Sequence, residues 1–246
     1  MHVHILTIFP EFFLSPLNES MIKKAQEKGK IRIDVVDIRD FARDKHKTVD
    51  DAPFGGGAGM VMMVEPLYEA VSSVIEKKKK EKIVLTSPQG ERFSQKKAKE
   101  LSSWDHLILV CGHYKGIDER IKSLLPLEEI SIGDYVLTGG EFAALVILDA
   151  VTRLIPGVIG KFESAQTDSF YQSMLGYPQY TRPSEFRGLK VPEILLSGDH
   201  EKVRLWRRKK ALEETLNKRP DLLEKISLSE EDKNLIDNIK KDKQKA

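Results

Sequence analysis

Cysteine is almost absent from this chain of 246 residues, since Cys111 is its only example. One cysteine excludes a disulfide framework and a metal site built from several thiolates. Long hydrophobic runs are absent too: the longest, Phe142 to Val151, is interrupted by Asp149 and falls short of the ~18 residues that a membrane span needs. The N-terminus, MHVHILTIFPEFF, lacks the basic region and cleavage site of a signal peptide. We therefore expect a cytoplasmic protein without a membrane partner.

Neither sign of charge dominates, because 40 Lys and Arg residues stand against 38 Asp and Glu residues. With a formal net charge of only +2, a strongly charged partner must bind a local patch. Hydrophobic residues make up 40% of the chain and charged residues 32%, which is typical of a globular protein. At ~150 residues per domain, the length predicts one large domain and a smaller one.

Short apolar segments alternate with helical periods over residues 1–160. Four segments have the β-branched or continuously apolar composition of strands: Val3–Phe9, Ile31–Ile38, Ile83–Ser87 and Leu107–Cys111. Between and after them, apolar residues recur at helical spacing over Leu67–Ile75 and Ala144–Ile155. This alternation predicts an α/β domain with a parallel sheet.

The composition changes after Gly160. Residues 161–176 are polar and aromatic without a clear period, so we expect an interdomain linker there. From Asp199, which can cap a helix, the pattern is helical and charge-rich, and residues 177–246 are predicted to form a helical domain. Between Tyr180 and Lys210, nine basic residues oppose four acids and aromatic residues are interleaved. That patch suits phosphate contacts and base stacking on RNA, or it is a solvated helix face with Trp206 in the core.

Glycine-rich turns mark the places where a ligand could bind. The loop PFGGGAGM, residues 53–60, matches neither a Walker loop nor a dinucleotide fingerprint, so a flexible loop and a ligand loop stay equally open. TSPQG and CGHYKG each follow a predicted strand, and SIGDYVLTGGE enters the long helix. Ligands of open α/β sheets bind at the carboxyl ends of strands, where backbone groups of such turns can hold an adenine and a ribose. Three ordinary turns are the alternative.

Acid–base candidates are few. Arg153 could stabilise developing negative charge and Asp168 could accept a proton, although the residues alone favour a surface charge for each. His4, His113 and His200 lack metal-ligand spacing, so no metal site is predicted.

Eight segments occur together and in order: VDDAPFGGGAGM, LTSPQG, CGHYKGIDER, SIGDYVLTGGE, ESAQTDSF, YPQYTRP, VPEILLSGDH and the WRR…KRPDLL run. In combination they closely resemble the bacterial tRNA (guanine-N1)-methyltransferase family of the SPOUT superfamily, over nearly the whole chain as far as about Leu223. The resemblance implies an α/β domain with a deep trefoil knot, a smaller helical domain that holds tRNA, and a homodimer with active sites at the subunit interface. DNA is not expected as a partner.

The resemblance also implies S-adenosylmethionine as methyl donor, Asp168 as general base and Arg153 as the residue that stabilises charge on guanine O6. The implied cofactor contacts are Thr86, Ser87, Pro88, Gly112, Tyr114, Gly116, Ser131, Ile132, Gly133, Asp134, Tyr135, Val136, Leu137, Gly139 and Gly140. The implied substrate contacts are Asp50, Gly57, Gly59, Lys115, Ser164, His200, Arg204, Arg207 and Arg208.

Two positions depart from the family pattern. Lys115 stands where a glutamate linked to metal assistance is usual, and lysine is not a magnesium ligand, so a magnesium requirement is left open. Ala52 replaces an arginine common in the family, so that RNA contact is lost or moved.

The expected function is methyl transfer from S-adenosylmethionine to N1 of the guanosine immediately 3′ of a tRNA anticodon. Two rivals remain: a non-catalytic RNA-binding module, and a related enzyme that methylates another RNA atom such as a ribose 2′-hydroxyl.

Overall fold

The computed structural model describes residues 1–76, 79–160, 165–224 and 226–244. The chain divides into two compact units, Met1–Phe162 and Glu163–Ala246. Within the described residues, no helix is long and apolar enough to cross a membrane.

The first unit is built on a five-stranded parallel sheet in the order β2-β1-β6-β5-β7. Its strands are β1 (His2–Thr7), β2 (Arg32–Asp37), β5 (Glu81–Arg92), β6 (His106–Cys111) and β7 (Leu127–Ser131). A separate antiparallel pair is formed by β3 (Asp50–Asp51) and β4 (Val61–Met62). Every residue of β6 is buried, because this central strand is covered on both faces. The parallel α/β class expected from the sequence is confirmed.

Helices lie between these strands: α1 (Leu14–Leu17), α2 (Ser20–Glu27), α3 (Val64–Val74), α4 (Gln95–Leu101), α5 (Ile121–Leu124) and α6 (Glu141–Thr152). Short 3-10 turns cover Pro10–Phe13 and Ile38–Phe41. The apolar face of α3 packs on the sheet through Leu67, Ala70 and Val71. The long helix ends earlier than the periodicity predicts, because Leu154 and Ile155 lie in a following turn, yet both are buried.

The second unit contains α7 (His200–Lys218), α8 (Pro220–Leu223) and α9 (Glu230–Gln244), with a small hairpin of β8 (Glu185–Phe186) and β9 (Leu189–Lys190). A 3-10 turn covers Glu193–Leu196. Asp199 caps α7 as predicted, since its side chain accepts a hydrogen bond from the Lys202 amide at 3.1 Å. Met174, from the segment expected to be a linker, is buried against Leu212 of α7 and Ile236 of α9.

Candidate active site

One cavity of about 280 Å³ lies at the bulge of β5 and at the carboxyl ends of β6 and β7. The TSPQG turn, predicted to follow its strand, thus lies within β5. The three strands are neighbours in the sheet, so these segments meet. The cavity is lined by glycines and apolar residues together with four charged residues, Lys115, Glu119, Lys122 and Glu129. Backbone N–H groups of the loops can donate hydrogen bonds to a neutral, planar ligand, and their C=O groups can accept hydrogen bonds from it.

The structure brings the predicted cofactor residues together around this cavity, with one exception. Asp134 is exposed and is not among the residues that line it. The lining includes Thr86, Ser87, Pro88, Gly112, Tyr114, Gly116, Ser131, Ile132, Gly133, Tyr135, Val136, Leu137, Gly139 and Gly140.

A bulge in β5 forms one wall of the cavity. Thr86 and Glu91 both pair with Ile130 of β7, so residues 87–90 are displaced from the ladder. A side-chain carbon on Gly90 would overlap the backbone of Glu129. Glycine is therefore required where the bulge crosses the neighbouring strand.

The start of α6 closes a second wall. The amide nitrogen of Gly140 donates to the carbonyl oxygen of Gly112 at 2.8 Å, and His113 and Gly139 form a further backbone bridge. A side-chain carbon on Gly140 would overlap Thr86 Oγ1 and stand 2.9 Å from Cys111 Cα. The backbone of the loop after β7 thus contacts the backbone of the loop after β6 directly.

Polar groups are buried under this junction. The Glu141 carboxylate is buried and accepts a hydrogen bond from Thr7 Oγ1 at 2.9 Å. Burial, and then the charge of Glu141, raises the pKa of the Cys111 thiol well above its usual value. Cys111 therefore stays protonated at neutral pH and is not suited to act as a nucleophile.

Tyr114 connects the cavity to the β3–β4 pair. It adopts a left-handed backbone conformation with a φ of 59°. Burial, and then the Asp50 carboxylate that accepts a hydrogen bond from its hydroxyl, raises the pKa of Tyr114. The structure thus brings the predicted substrate residue Asp50 to a residue of the cavity wall.

The glycine-rich loop packs against the loop after β6. Lys115 N donates to Met60 O at 3.0 Å, and a side-chain carbon on Gly59 would stand 2.5 Å from Lys115 Cγ. Gly59 is therefore needed for the close approach of Lys115. Gly57 is exposed and has open space around it, so nothing in the structure explains it as a packing requirement. Phe54, at the tip of this loop, is 99% exposed.

The two acid–base candidates, Arg153 and Asp168, belong to different units of the chain. Arg153 is half-buried and directly follows α6, where its amide donates to Asp149 O at 3.2 Å. Asp168 is exposed in a turn of the second unit, where the Tyr171 amide donates to its carbonyl oxygen at 3.3 Å.

Asp168 lines a cavity of about 870 Å³ within the second unit. The same cavity is lined by the predicted substrate residues His200, Arg204, Arg207 and Arg208. Ser164, predicted to contact substrate, lies outside the described residues.

Acidic residues of α9 neutralise part of the basic face that the sequence predicts on α7. Arg204 forms ion pairs with Glu201 at 2.7 Å and with Glu231 at 2.8 Å, and Arg208 binds both carboxylate oxygens of Asp232 at 2.7 and 2.9 Å. Arg207 instead lies over the Tyr177 ring, 5.1 Å from its centroid. A local charge count from 180 to 210 could not include the α9 acids. The excess of positive charge in this patch is therefore smaller in the structure than the count along the sequence indicates.

One protein-family model matches most of this chain. The model described as tRNA (Guanine-1)-methyltransferase TrmD matches residues 1–225. The chain belongs to this methyltransferase family.

Named relatives of the family cover almost the whole chain. The tRNA (guanine-N(1)-)-methyltransferase of Dictyoglomus turgidum is 57% identical over 242 residues, which are 98% of this chain and 98% of that protein. The protein of the same name from Moorella thermoacetica is 56% identical and covers 97% of this chain and 96% of its own length. That from Halalkalibacterium halodurans is 53% identical over the full length of both chains.

Membership of the tRNA (guanine-N1)-methyltransferase family gives the enzyme class and confirms the resemblance drawn from the motifs. A non-catalytic RNA-binding module is therefore excluded. For this methyltransferase family member the structure also adds cavity residues that the sequence analysis did not assign to cofactor or substrate. They are Leu85, Gln89, His113, Ile117, Glu119, Lys122, Glu129, Ile130, Thr138 and Ala143. Gln89 and His113 lie inside the TSPQG and CGHYKG motifs, so their positions in those turns could have identified them.

Proposed function

We propose that the chain transfers a methyl group from S-adenosylmethionine to N1 of the guanosine immediately 3′ of a tRNA anticodon. The observation that carries the proposal is the cavity at the bulge of β5 and the ends of β6 and β7, lined by the three Gly- or Pro-containing turns. The family supplies the reaction class. The cofactor, the nucleotide and the residue roles are our proposals.

The cavity suits S-adenosylmethionine. A side-chain carbon on Gly116 would meet nothing within 4 Å, so the glycine leaves open space beside the cavity instead of filling it. Ser87, Pro88 and Gly112 present small side chains and backbone to the same space. Backbone acceptors and donors of this kind match an adenine and a ribose, which carry no charge for a side chain to balance.

When bound, S-adenosylmethionine supplies an electrophilic methyl group on its sulfonium. Neutral guanine carries a proton on N1 and is a poor nucleophile, so a general base must accept that proton as N1 attacks the methyl group. Asp168, whose carboxylate is exposed, takes this role. Arg153 stabilises the negative charge that develops on O6 as the proton leaves. The target base must leave its stack to reach these groups.

The working site is shared between two copies of the chain, with Asp168 of one subunit serving the cavity of the other. Phe142 and Val146, one turn apart on α6, are 55% and 47% exposed, which is unusual for large apolar residues on a helix next to a site. The Phe142 ring also packs edge-on against Phe12, with centroids 4.8 Å apart. An apolar face of this kind suits a second copy of the chain across a two-fold axis.

Three further features complete the proposal. The loops that follow β6 and β7 thread a trefoil knot, which is supported by the backbone contacts of Gly140 with Gly112 and of Gly139 with His113. The second unit holds tRNA through the cavity lined by His200 and Arg207. The enzyme works in the cytoplasm, where tRNA is found.

Two tRNA transcripts test the proposed position. They differ only in the nucleotide 3′ of the anticodon, which is guanosine in one and adenosine in the other. With labelled S-adenosylmethionine, the guanosine transcript should accept one methyl group and the adenosine transcript none. Equal labelling of both would contradict the proposed position while leaving the family's reaction class untouched.

Complementation between two inactive chains tests the shared site. An Asp168→Ala chain is mixed with a Gly140→Trp chain, in which the bulky side chain blocks the start of α6. Heterodimers should recover one working site, because an intact Asp168 and an intact cavity then face each other. Heterodimers that stay inactive, although each parent is folded and dimeric, would contradict sharing.

A further inference from the structure

Three imidazole rings meet at the amino-terminal ends of β1 and β6. His2 and His4 are alternate residues of β1, so they point to the same face of the sheet. His106, the first residue of β6, pairs with His2 across the sheet. One nitrogen from each ring lies within 4.8 Å of the other two. The register of the sheet thus brings together histidines that stand far apart in the sequence.

A carboxylate completes the inner set. Asp34 of β2 pairs with His4 in the register. Its Oδ2 lies 2.7 Å from His2 Nε2 and 3.9 Å from His4 Nε2. His4 Nδ1 is 2.8 Å from His106 Nε2. The three imidazoles therefore share one small volume, and the Asp34 carboxylate, which also pairs with Arg32 Nε at 2.9 Å, lies beside it.

Two further carboxylates hold the outer nitrogens of the rings. Glu81, which pairs with His106 in the register of β5 and β6, places Oε2 3.3 Å from His106 Nδ1. Glu76 places Oε1 3.2 Å from His2 Nδ1. A carboxylate on one ring nitrogen leaves the lone pair of the other nitrogen directed at the shared volume, an arrangement that recurs around histidine ligands of metals.

The cluster is enclosed by the protein. The His106 side chain is fully buried, and those of His2 and His4 are 15% and 12% exposed. The surrounding protein therefore limits the access of solvent to an ion held by these rings.

We propose that His2, His4, His106 and Asp34 bind one zinc ion. Imidazole nitrogens with one carboxylate suit this borderline metal, and four ligands suit its tetrahedral preference. Ligands at the usual Zn–N distance stand ~3.3 Å apart in a tetrahedron. The His4–His106 contact at 2.8 Å and the His2–Asp34 contact at 2.7 Å would each open by ~0.5 Å, and Asp34 would exchange its contact with Arg32 for the ion.

The ion would link strands rather than act in methyl transfer. Its ligands come from β1, β2 and β6, three adjacent strands. The cavity lies at the other end of β6, beyond Cys111, which is five residues and ~16 Å along the strand from His106. Zinc should therefore stabilise the sheet and leave the cofactor site unchanged.

Calorimetry with zinc chloride on tag-free, chelator-treated full-length protein tests the proposal. We expect one zinc ion per chain and a zinc-dependent rise in the thermal unfolding temperature. His2→Gln should weaken zinc binding by at least ~100-fold and Glu81→Gln, which keeps every ligand, by ~10–100-fold. His46→Gln removes an exposed histidine outside the cluster and is the matched control.

Cobalt(II) gives a second readout that does not depend on stability. Wild type should show the visible absorption of tetrahedral cobalt, and the His2→Gln protein, once shown to be folded by circular dichroism, should lose it. Absence of zinc binding in wild type would overturn the proposal and leave the cluster as a hydrogen-bonded set of side chains. Equal binding by the His2→Gln and His46→Gln proteins would overturn it as well, because the zinc would then lie elsewhere.

Discussion

The amide nitrogen of Gly140 donates a hydrogen bond to the carbonyl oxygen of Gly112 at 2.8 Å. This bond joins the start of α6 to the loop after β6, and Gly140 leaves no room for a side chain between Thr86 and Cys111. The shape of the proposed cofactor site therefore depends on the absence of a single methyl group.

Gly140→Ala should distort this junction. The added carbon would overlap Thr86 Oγ1 and stand 2.9 Å from Cys111 Cα, and both residues belong to strands of the sheet. We expect a loss of ~1–3 kcal/mol in the free energy of unfolding, typical of overpacking, together with weaker S-adenosylmethionine binding in calorimetry. Gly160→Ala is the control, because a side-chain carbon there meets nothing within 4 Å. Unchanged cofactor affinity in the Gly140→Ala protein would contradict the role given to this junction.

Arg153→Ala should separate chemistry from cofactor binding. The charge on O6 develops only as the reaction proceeds, so removal of a well-placed donor is expected to lower kcat by ~10²–10³ while S-adenosylmethionine affinity persists. Single-turnover methylation and calorimetry measure the two quantities. Arg43→Ala, which removes an exposed arginine paired with Glu65 at 2.8 Å, should behave as wild type. Full activity of the Arg153→Ala protein would refute the assigned role.

The ion pair between Arg208 and Asp232 predicts a pH-dependent stability of the second unit. The Arg208 guanidinium lowers the pKa of Asp232 from 3.8 to about 2, so the pair stabilises the fold above pH 4 and its contribution is lost as the pH falls towards 2. Asp232→Asn should cost ~2 kcal/mol at pH 7, and the difference from wild type should shrink below pH 4.

Trp206 fluorescence reports on this unit alone once Trp104, the other tryptophan, is changed to Phe. Urea unfolding of the Trp104→Phe protein, with and without Asp232→Asn, is followed from pH 7 to pH 3. A difference in stability that does not vary with pH would mean that the pair acts through packing and not through charge.

Arg207 and Arg204 should differ in their contribution to tRNA binding. Arg204 is held by Glu201 and Glu231, whereas Arg207 is exposed over the Tyr177 ring. Arg207→Ala should therefore reduce the slope of log affinity against log salt by roughly 0.7–0.9, and Arg204→Ala by much less. Filter binding over a salt series measures both slopes. Equal changes would show that the Arg204 ion pairs open when tRNA binds.

Local pattern predicted four of the five strands of the parallel sheet but missed β7, which carries two adjacent acids. β6 was evident in the sequence because Leu107–Cys111 is continuously apolar, as expected of a strand in which each residue is buried. β7 contains Glu128 and Glu129, which are paired with Lys97 at 2.6 Å and Lys122 at 3.0 Å. Those lysines come from other elements, so the sequence of the strand alone does not reveal that its acids are neutralised.

The same limit applies to clusters built by tertiary contacts. The motifs contain most of the cavity lining, because its residues are contiguous in turns, but Lys122, Glu129, Ile130 and Ala143 lie outside them. The histidine cluster depends on the pairing of β1 with β6, which no spacing along the chain displays. Trp206, expected in the core, is half-buried beside Tyr180, with ring centroids 6.2 Å apart. Its neighbours on α7 gave no sign that this side of the helix is only partly covered.

Identification of the methylated nucleoside tests the central claim most directly. The tRNA is methylated by the purified enzyme, digested completely to nucleosides and separated by liquid chromatography with mass spectrometry against authentic 1-methylguanosine and 2′-O-methylguanosine. These isomers have equal mass but fragment differently, because the methyl group stays with the base in one and with the ribose in the other. We predict 1-methylguanosine as the product. A product that carries its methyl group on the ribose, or on another base atom, would contradict the account.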